Sequence, residues 1–338
     1  MSDPYSVFRH HGGNLSVAAA ATGRPRAEWL DLSTGINPRA YPIPAIPPDA
    51  WTRLPEAAEH EALVAAARVA YGVADAAAVV AAPGTQSLIQ WLPMLRPRGR
   101  VGVVAPTYGE HATAWRRAGH VVEELPDLPA EDAEGLPDVI VVVNPNNPDG
   151  ARRDPDALLA VAARQADRGG WLVIDEAFAD VSPEVSLCGC AGGEGLVILR
   201  SPGKFYGLAG VRLGFAVMHP ATAEHLAAHL GPWAVAGASL VVGTAALTDL
   251  AWRDAMRGWL ADQVCATDAV LAGAGLSVRG GTDLFRLVET PTAHAVFDRL
   301  VRAGVLVRPF SYAPTWLRLG LPADDAGLRR LAEALRAE

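Results

Sequence analysis

The sequence predicts an α/β protein, with a large domain on a mostly parallel seven-stranded sheet and a smaller C-terminal α+β domain. Three observations carry this. Unbroken apolar runs rich in Val recur between residues 78 and 217, as strands covered on both faces require. Helical segments separate most of them and supply the crossovers that parallel strands need. Past about residue 256 the order of strands and helices changes, which marks a second domain. A chain of 338 residues suits two such units.

Residues 1–55 are Pro-rich and irregular, with a short strand within 30–36 ahead of Asn37-Pro38. Residues 57–71 are Ala-rich and helical, and Gly72 ends them. Strand 78–82 leads to a helix from Thr85 to Leu95, and strand 101–105 to a helix near 109–118, followed by strand 121–125. Strand 139–143 runs into a loop at 144–153, then come helix 154–167 and strand 171–175. Ser201-Pro202-Gly203 break strand 196–200 (LVILR), a Gly-rich turn follows from Lys204 to Gly210, and 213–217 is again a strand. Helix 220–230 and a mixed helical stretch over 239–274 complete the middle. Strand 284–288, helix 293–303, strands 305–308 and 316–320 and helix 324–336 form the last part, with an antiparallel component. The expected division is an N-terminal arm, 1–40, that contributes to the small domain, a large domain at 41–255 and a small domain at 256–338.

Composition narrows the function. Half the residues are hydrophobic and a fifth are charged, with 33 Gly and 26 Pro, which excludes a mostly disordered chain, a coiled coil and a collagen-like fibre. A net charge of −8 argues against a nucleic-acid partner but leaves room for a local basic site for a phosphorylated metabolite. No apolar run approaches the roughly 20 residues of a spanning helix, and the opening MSDPYSVFRHHGG lacks a signal-peptide order, so no membrane partner is expected. Three cysteines, an odd number, suit a reducing cytoplasm. Cys188-Gly-Cys190 is read as a loop with two thiols because a four-ligand zinc set is not visible. His225 and His229 do not satisfy the HExxH order and are read as surface or packing residues, so no metal is expected.

Of the 29 basic residues 28 are Arg, and the exception is Lys204. Both residues solubilise a surface, so a general replacement of Lys by Arg stops only where chemistry needs an amine that can lose its proton. Lys204 stands in a Gly-rich turn between two core strands, where partial desolvation makes an amine nucleophilic toward a carbonyl. An aldehyde cofactor is the reading this favours over a stray surface lysine.

Ligands of open α/β sheets sit at the carboxyl ends of the strands, and five ends here carry polar or aromatic groups. Gly84, Thr85 and Gln86 open a helix after strand 78–82, which is either an anion site or ordinary capping. Tyr108, past strand 101–105, offers a stacking face or a packing group. Asn144-Pro145-Asn146-Asn147 follows strand 139–143 and is either a set of amides on a Pro-fixed backbone or a simple turn. Asp175 ends strand 171–175, where a buried carboxylate needs a partner, either a protonated ring nitrogen or an Arg. Ser201 and Arg212 flank Lys204 and can complete a phosphate cradle. Pyridoxal phosphate satisfies all five with one molecule: an aldehyde for the lysine, a ring nitrogen for the carboxylate, a ring face for the aromatic, a hydroxyl for an amide and a phosphate for the cradle.

These residues, in the order Gly-Thr-Gln, Tyr, NPNNPDG, DEAF and RSPGKFYGLAGVRLGF, resemble the fold-type I pyridoxal-phosphate enzymes of the class I/II aminotransferase superfamily over essentially the whole chain. The resemblance implies a homodimer with active sites near the subunit interface. It also implies that Lys204 joins the cofactor covalently, Asp175 pairs with the pyridine nitrogen, Tyr108 stacks on the ring and Asn147 faces the ring hydroxyl. Gly84, Thr85, Ser201 and Arg212 would hold the phosphate. HGGN at 11–14, STGINP at 33–38, SPGKFYG at 201–207, GTDLFRLV at 281–288 and WLRLGLP at 316–322 are similar to the threonine-phosphate decarboxylases of cobalamin biosynthesis. Histidinol-phosphate aminotransferases are the alternative branch. By this resemblance Arg318 and Arg308 bind the anionic groups of a phosphorylated amino acid, Asn147 also faces the substrate, and His11, Gly12, Gly13 and Asn14 fold over it. The chain departs from the aminotransferases at Phe178 and at Leu54, where they usually carry Tyr. Phe178 lacks a hydroxyl for the ring oxygen, which leaves Asn147 more of that task, and Leu54 cannot reach a partner's cofactor phosphate. A scaffold that has lost turnover is disfavoured because Lys204, Asp175, Asn147 and Arg318 are all present.

Overall fold

The computed structural model describes residues 12–130 and 133–336, so His10 and His11 lie outside the described residues. The chain divides into two compact units, one of residues 41–147 with 151–253 and one of residues up to 40, 148–150 and 254 onward.

The first unit holds seven strands. They are β1 (Ala78–Ala82), β2 (Arg100–Val104), β3 (Val121–Leu125), β4 (Val139–Val143), β5 (Trp171–Asp175), β6 (Leu196–Arg200) and β7 (Gly214–Met218). Their order across the sheet is β1-β7-β6-β5-β4-β2-β3. All neighbours are parallel except β7, which is antiparallel to both β1 and β6. Two reversals cancel, so β1 runs with the other five and six strands end on one edge. The strands β4, β5, β6 and β7 are buried along their whole length, which is why they read as continuous apolar runs rather than alternating ones.

Helices cover both faces for local reasons. Glu56 and Glu59 form a reciprocal capping box on helix Ala57–Tyr71, and Gly72 ends it in the left-handed conformation that costs other residues energy. Asp154 accepts from the backbone N–H groups of Asp156 and Ala157 at the start of helix Pro155–Asp167, where Pro155 gives up no needed donor. The core on one side gathers Leu88, Ile89, Trp115, Val141, Val173 and Leu199.

The second unit is built on four antiparallel strands, β8 (Ser277–Thr282), β9 (Phe285–Glu289), β10 (Arg308–Pro309) and β11 (Trp316–Gly320), in the order β10-β11-β9-β8. Helices Leu15–Thr22, Ala293–Arg302 and Asp325–Arg336 belong to it, and its core includes Ala18, Trp29, Leu300, Leu317 and Leu331.

Four local readings need correction. The expected strand 305–308 is two: Val305–Leu306 pairs in parallel with Leu30–Asp31, and Arg308–Pro309 pairs with β11. The expected strand within 30–36 is only those two residues. The turn at Lys204 begins as a one-turn helix, Pro202–Phe205, because proline at its first position presets the backbone. Helix Leu15–Thr22 lies in a stretch read as irregular, started by Asn14 and ended by left-handed Gly23.

Candidate active site

Five strands of the large unit deliver their named groups to the same edge of the sheet. Asp175 closes β5, 4% exposed. Its Oδ1 accepts the N–H of Ala177 at 3.0 Å, and its Oδ2 lies 2.9 Å from Nε2 of buried His111. An ionised carboxylate has about four acceptor positions, so one more donor can be served. His111 sits in the first turn of helix Glu110–Arg117, three residues past Tyr108, and the two rings meet edge to face at 6.1 Å. His111 thus touches both Asp175, through a hydrogen bond, and Tyr108, through a ring contact.

Tyr108 is fixed from the other side as well. Its hydroxyl donates to Oε1 of Gln86 at 3.1 Å, and the amide of Gln86 donates to Glu110 at 3.2 Å. Gln86 therefore orients the Tyr108 ring through its side chain.

The three asparagines after β4 divide their work. Asn144 accepts the N–H of Arg153 through Oδ1 at 2.9 Å. Asn146 accepts from the Thr107 hydroxyl at 2.6 Å and donates to the Pro106 carbonyl at 3.0 Å, which ties this loop to the segment leading into Tyr108. Asn147, buried to within 9%, follows these two braced positions.

Gly84 has φ +83°, a conformation that disfavours any side chain, and an ideal Cβ there would stand 2.6 Å from Nη2 of Arg212. Only glycine lets the guanidinium lie against the loop. Arg212 itself takes a left-handed backbone, φ 54°, and donates through Nη1 to the carbonyl of Ala209 at 3.0 Å. The Thr85 hydroxyl donates to the Arg200 carbonyl at 3.2 Å, which joins the loop after β1 to the residue before Ser201. Gly84 and Arg212 thus lie against each other, and Thr85 ties their loop to the residue before Ser201.

Lys204 is placed by the two residues after it. Phe205 and Tyr206 are buried, Tyr206 stacks on Trp252 at 5.4 Å, and its carbonyl accepts the N–H of Tyr41 at 2.8 Å. With both neighbours drawn into the core, Lys204 stays half-buried, its Nζ 5.9 Å from the centre of the Phe178 ring.

Behind the site, Glu176 is fully buried and Arg200 nearly so. Arg200 donates to Glu176 at 2.8 Å, pairs with Asp180 at 3.0 Å and lies over the Tyr71 ring at 4.3 Å. Burial alone would lower the guanidinium's pKa, but Asp180 and Glu176 outweigh it and raise it above its ordinary value. Cys188 is next to this cluster, and burial, reinforced by Glu176, pushes its thiol up to about 12, so it stays a protonated packing residue while Cys190 is exposed. Among the described residues no group of three or more His, Cys, Asp or Glu is arranged to hold a metal.

The small unit brings together the second set. Arg308 and Arg318 are direct cross-strand partners on β10 and β11. Arg318 is 3% exposed and donates through Nη2 to the Ser33 carbonyl at 3.0 Å. Burial, then the like charge of Arg308, pushes its pKa down to about 9. A bound anion would relieve both effects. Ser33 also accepts the N–H of Gly13 at 2.7 Å, and a side chain at Gly12 would overlap the Ser33 carbonyl, so the glycines of the N-terminal segment meet Arg318 through one serine. Asn14 is placed differently from the two glycines, as the cap of helix Leu15–Thr22, with Oδ1 accepting from Val17 at 3.4 Å.

The sequence offers His111 as a pocket-lining residue after Tyr108, but not its partner Asp175, which is 64 positions away. The only sequence signal of His111 is its place one helical turn after an aromatic that ends a strand.

The family model for aminotransferase class I and II matches residues 51–335. Threonine-phosphate decarboxylases of Sinorhizobium sp and Pseudomonas aeruginosa are each 47% identical to this chain over 328 residues, 96% of this chain and 97% and 96% of theirs. The solved histidinol-phosphate aminotransferase of Sinorhizobium meliloti in complex with pyridoxal-5'-phosphate superposes with a TM-score of 0.77 at 20% identity, covering 96% of this chain and 95% of that one. At that identity the likeness is one of fold.

Proposed function

This chain belongs to the aminotransferase class I and II family, and on that footing we propose that it is a pyridoxal-phosphate enzyme that decarboxylates L-threonine O-3-phosphate. The products are (R)-1-amino-2-propanol O-2-phosphate and CO2. The observation that carries the reading is near-full-length likeness, at 47% identity, to two threonine-phosphate decarboxylases.

The residues present fit the cofactor. The cradle at Gly84, closed against Arg212 by the missing Cβ, suits a phosphate, with backbone N–H groups from Thr85 and Gln86 and the Ser201 hydroxyl as further donors. Asp175 holds the proton on the pyridine nitrogen, and His111 holds Asp175. Tyr108 covers the ring face and Asn147 serves the ring hydroxyl. Lys204 supplies the amine for the aldehyde. When bound, the cofactor's protonated ring accepts the electron pair of the bond broken at the substrate's α-carbon.

Arg318 and Arg308 take the substrate's carboxylate and phosphate, with Gly12 and Gly13 joined to Arg318 through Ser33, and we assign His11 and Asn14 to the substrate with them. Holding both anionic ends would fix the orientation of the bonds at the α-carbon, so positioning would select which of them breaks. The Cα–carboxylate bond breaks, CO2 departs, and a proton carried by Lys204 Nζ takes its place on that carbon. Purified protein given threonine phosphate is expected to release CO2 and aminopropanol phosphate. Glutamate formed from histidinol phosphate and 2-oxoglutarate, without CO2 from threonine phosphate, would instead assign it to the aminotransferases.

No helix among the described residues is long and apolar enough to cross a membrane. We place the enzyme in the cytoplasm, in keeping with three free cysteines, and read it as a homodimer. Trp51 and Leu54, 67% and 62% exposed in the single chain, are the sort of apolar residues a second copy covers. Sedimentation equilibrium is expected to give about twice the chain mass of 35.4 kDa, and a value of one chain mass would overturn the dimer.

A further inference from the structure

Because Arg308 and Arg318 are cross-strand partners, the connection between β10 and β11 begins and ends beside them. Within that connection Tyr312 is 55% exposed, yet its ring is held. It lies tilted against Phe310 at 5.4 Å and edge-on to Trp316 at 6.5 Å. These neighbours are anchored in turn. The Arg308 guanidinium lies 5.1 Å from the centre of the Phe310 ring. Trp316 is covered by Arg279 at 4.7 Å and donates its Nε1–H to Glu289 at 3.2 Å. An exposed tyrosine whose ring is braced on two sides loses little entropy on using its hydroxyl, which suits a binding role.

We propose that Tyr312 is a specificity-determining residue, whose hydroxyl joins Arg308 as a further donor to the substrate's phosphate. The assignment rests on the reading that Arg308 and Arg318 hold the substrate's anionic groups. Its added content is discrimination: a guanidinium attracts any anion, whereas a further donor beside it rewards a phosphate with three acceptor oxygens over a carboxylate with two. The electrostatics agree. Partial burial raises the phenol's pKa against the opposing pull of Arg308 and Arg318, so at neutral pH it is a neutral donor available to an acceptor-only dianion. Asp149, the acidic group in the same neighbourhood, adds to that rise and tempers the positive charge, so a neutral donor improves the grip without adding charge.

Tyr312→Phe keeps the ring and its contacts with Phe310 and Trp316 and removes only the hydroxyl. In the cofactor-loaded enzyme, titration calorimetry with inorganic phosphate is expected to show binding about tenfold weaker than in the parent, as loss of a hydrogen bond to a charged group predicts. The kcat/KM for threonine phosphate is expected to fall by a similar factor, while the affinity for unphosphorylated L-threonine changes less than about twofold. Equal phosphate affinity in parent and variant overturns the proposal. So does an equal loss toward threonine and threonine phosphate, which would make Tyr312 a structural residue. A parent that releases no CO2 but binds phosphate more tightly than Tyr312→Phe does would reject the decarboxylase reading and leave the anion role standing.

Discussion

Lys204→Ala is expected to slow CO2 release from threonine phosphate by at least about 10³-fold and to give a protein that purifies colourless. The substitution removes two things at once, the amine that joins the aldehyde and the group that returns a proton to the α-carbon. Structural damage should be small, because the half-buried side chain contributes little packing compared with Phe205 and Tyr206, which hold the segment in the core. Lys204→Arg is expected to fail as completely, although it keeps the charge, because a guanidinium does not lose its proton. The sequence makes the check unusually clean. Lys204 is the only lysine, so borohydride reduction of the cofactor-loaded protein should tag one ε-amine, identifiable by peptide mass. An unmodified Lys204 after reconstitution with the aldehyde, or an alanine variant retaining a tenth of the parental rate, removes the basis of the reading.

Much of the fold was legible in the sequence, and for identifiable reasons. The strands 139–143, 171–175 and 196–200 have the bounds their apolar runs give, because each lies inside the sheet, buried along its whole length, where neither edge nor solvent blurs the pattern. The small unit was harder to read. Strand β8, SVRGGT, carries two glycines and an arginine and has no apolar run, and its strand character comes entirely from pairing with β9. The run 305–308 looks like one strand, yet it feeds two different partners, a choice that only tertiary pairing makes. The candidate site residues stood out because they lie at or just past strand ends. The pairings among them did not, since Gln86 holding Tyr108, Asn146 holding the 106–107 segment and His111 holding Asp175 join parts of the chain that come together only in the sheet.

The adjacent carboxylates Asp175 and Glu176 have opposite jobs, and their isosteric amides are expected to separate them. In Glu176 both oxygens accept: Oε1 from the N–H of Leu187 at 2.8 Å, Oε2 from Arg200 at 2.8 Å and from the Ser186 hydroxyl at 2.6 Å. An amide in Glu176→Gln must therefore turn its NH2 toward a donor in either orientation, and Arg200 loses one of two buried counter-charges. A loss of about 3 kcal/mol in unfolding free energy is expected, read as a lower urea midpoint at unchanged slope. Asp175→Asn is tolerated by the fold, because the amide oxygen still accepts from Ala177 and its NH2 can face a ring nitrogen of His111 that carries no proton. What the asparagine cannot do is keep a proton on a pyridine nitrogen, since it has no charge to offer. Asp175→Asn is thus expected to keep the parental urea midpoint while kcat falls on the order of 10³-fold, the scale of losing a preorganised charge at the reacting centre. The reverse pattern, an unstable Asp175→Asn with near-normal turnover, would mean that the carboxylate ending β5 serves the sheet and not the cofactor.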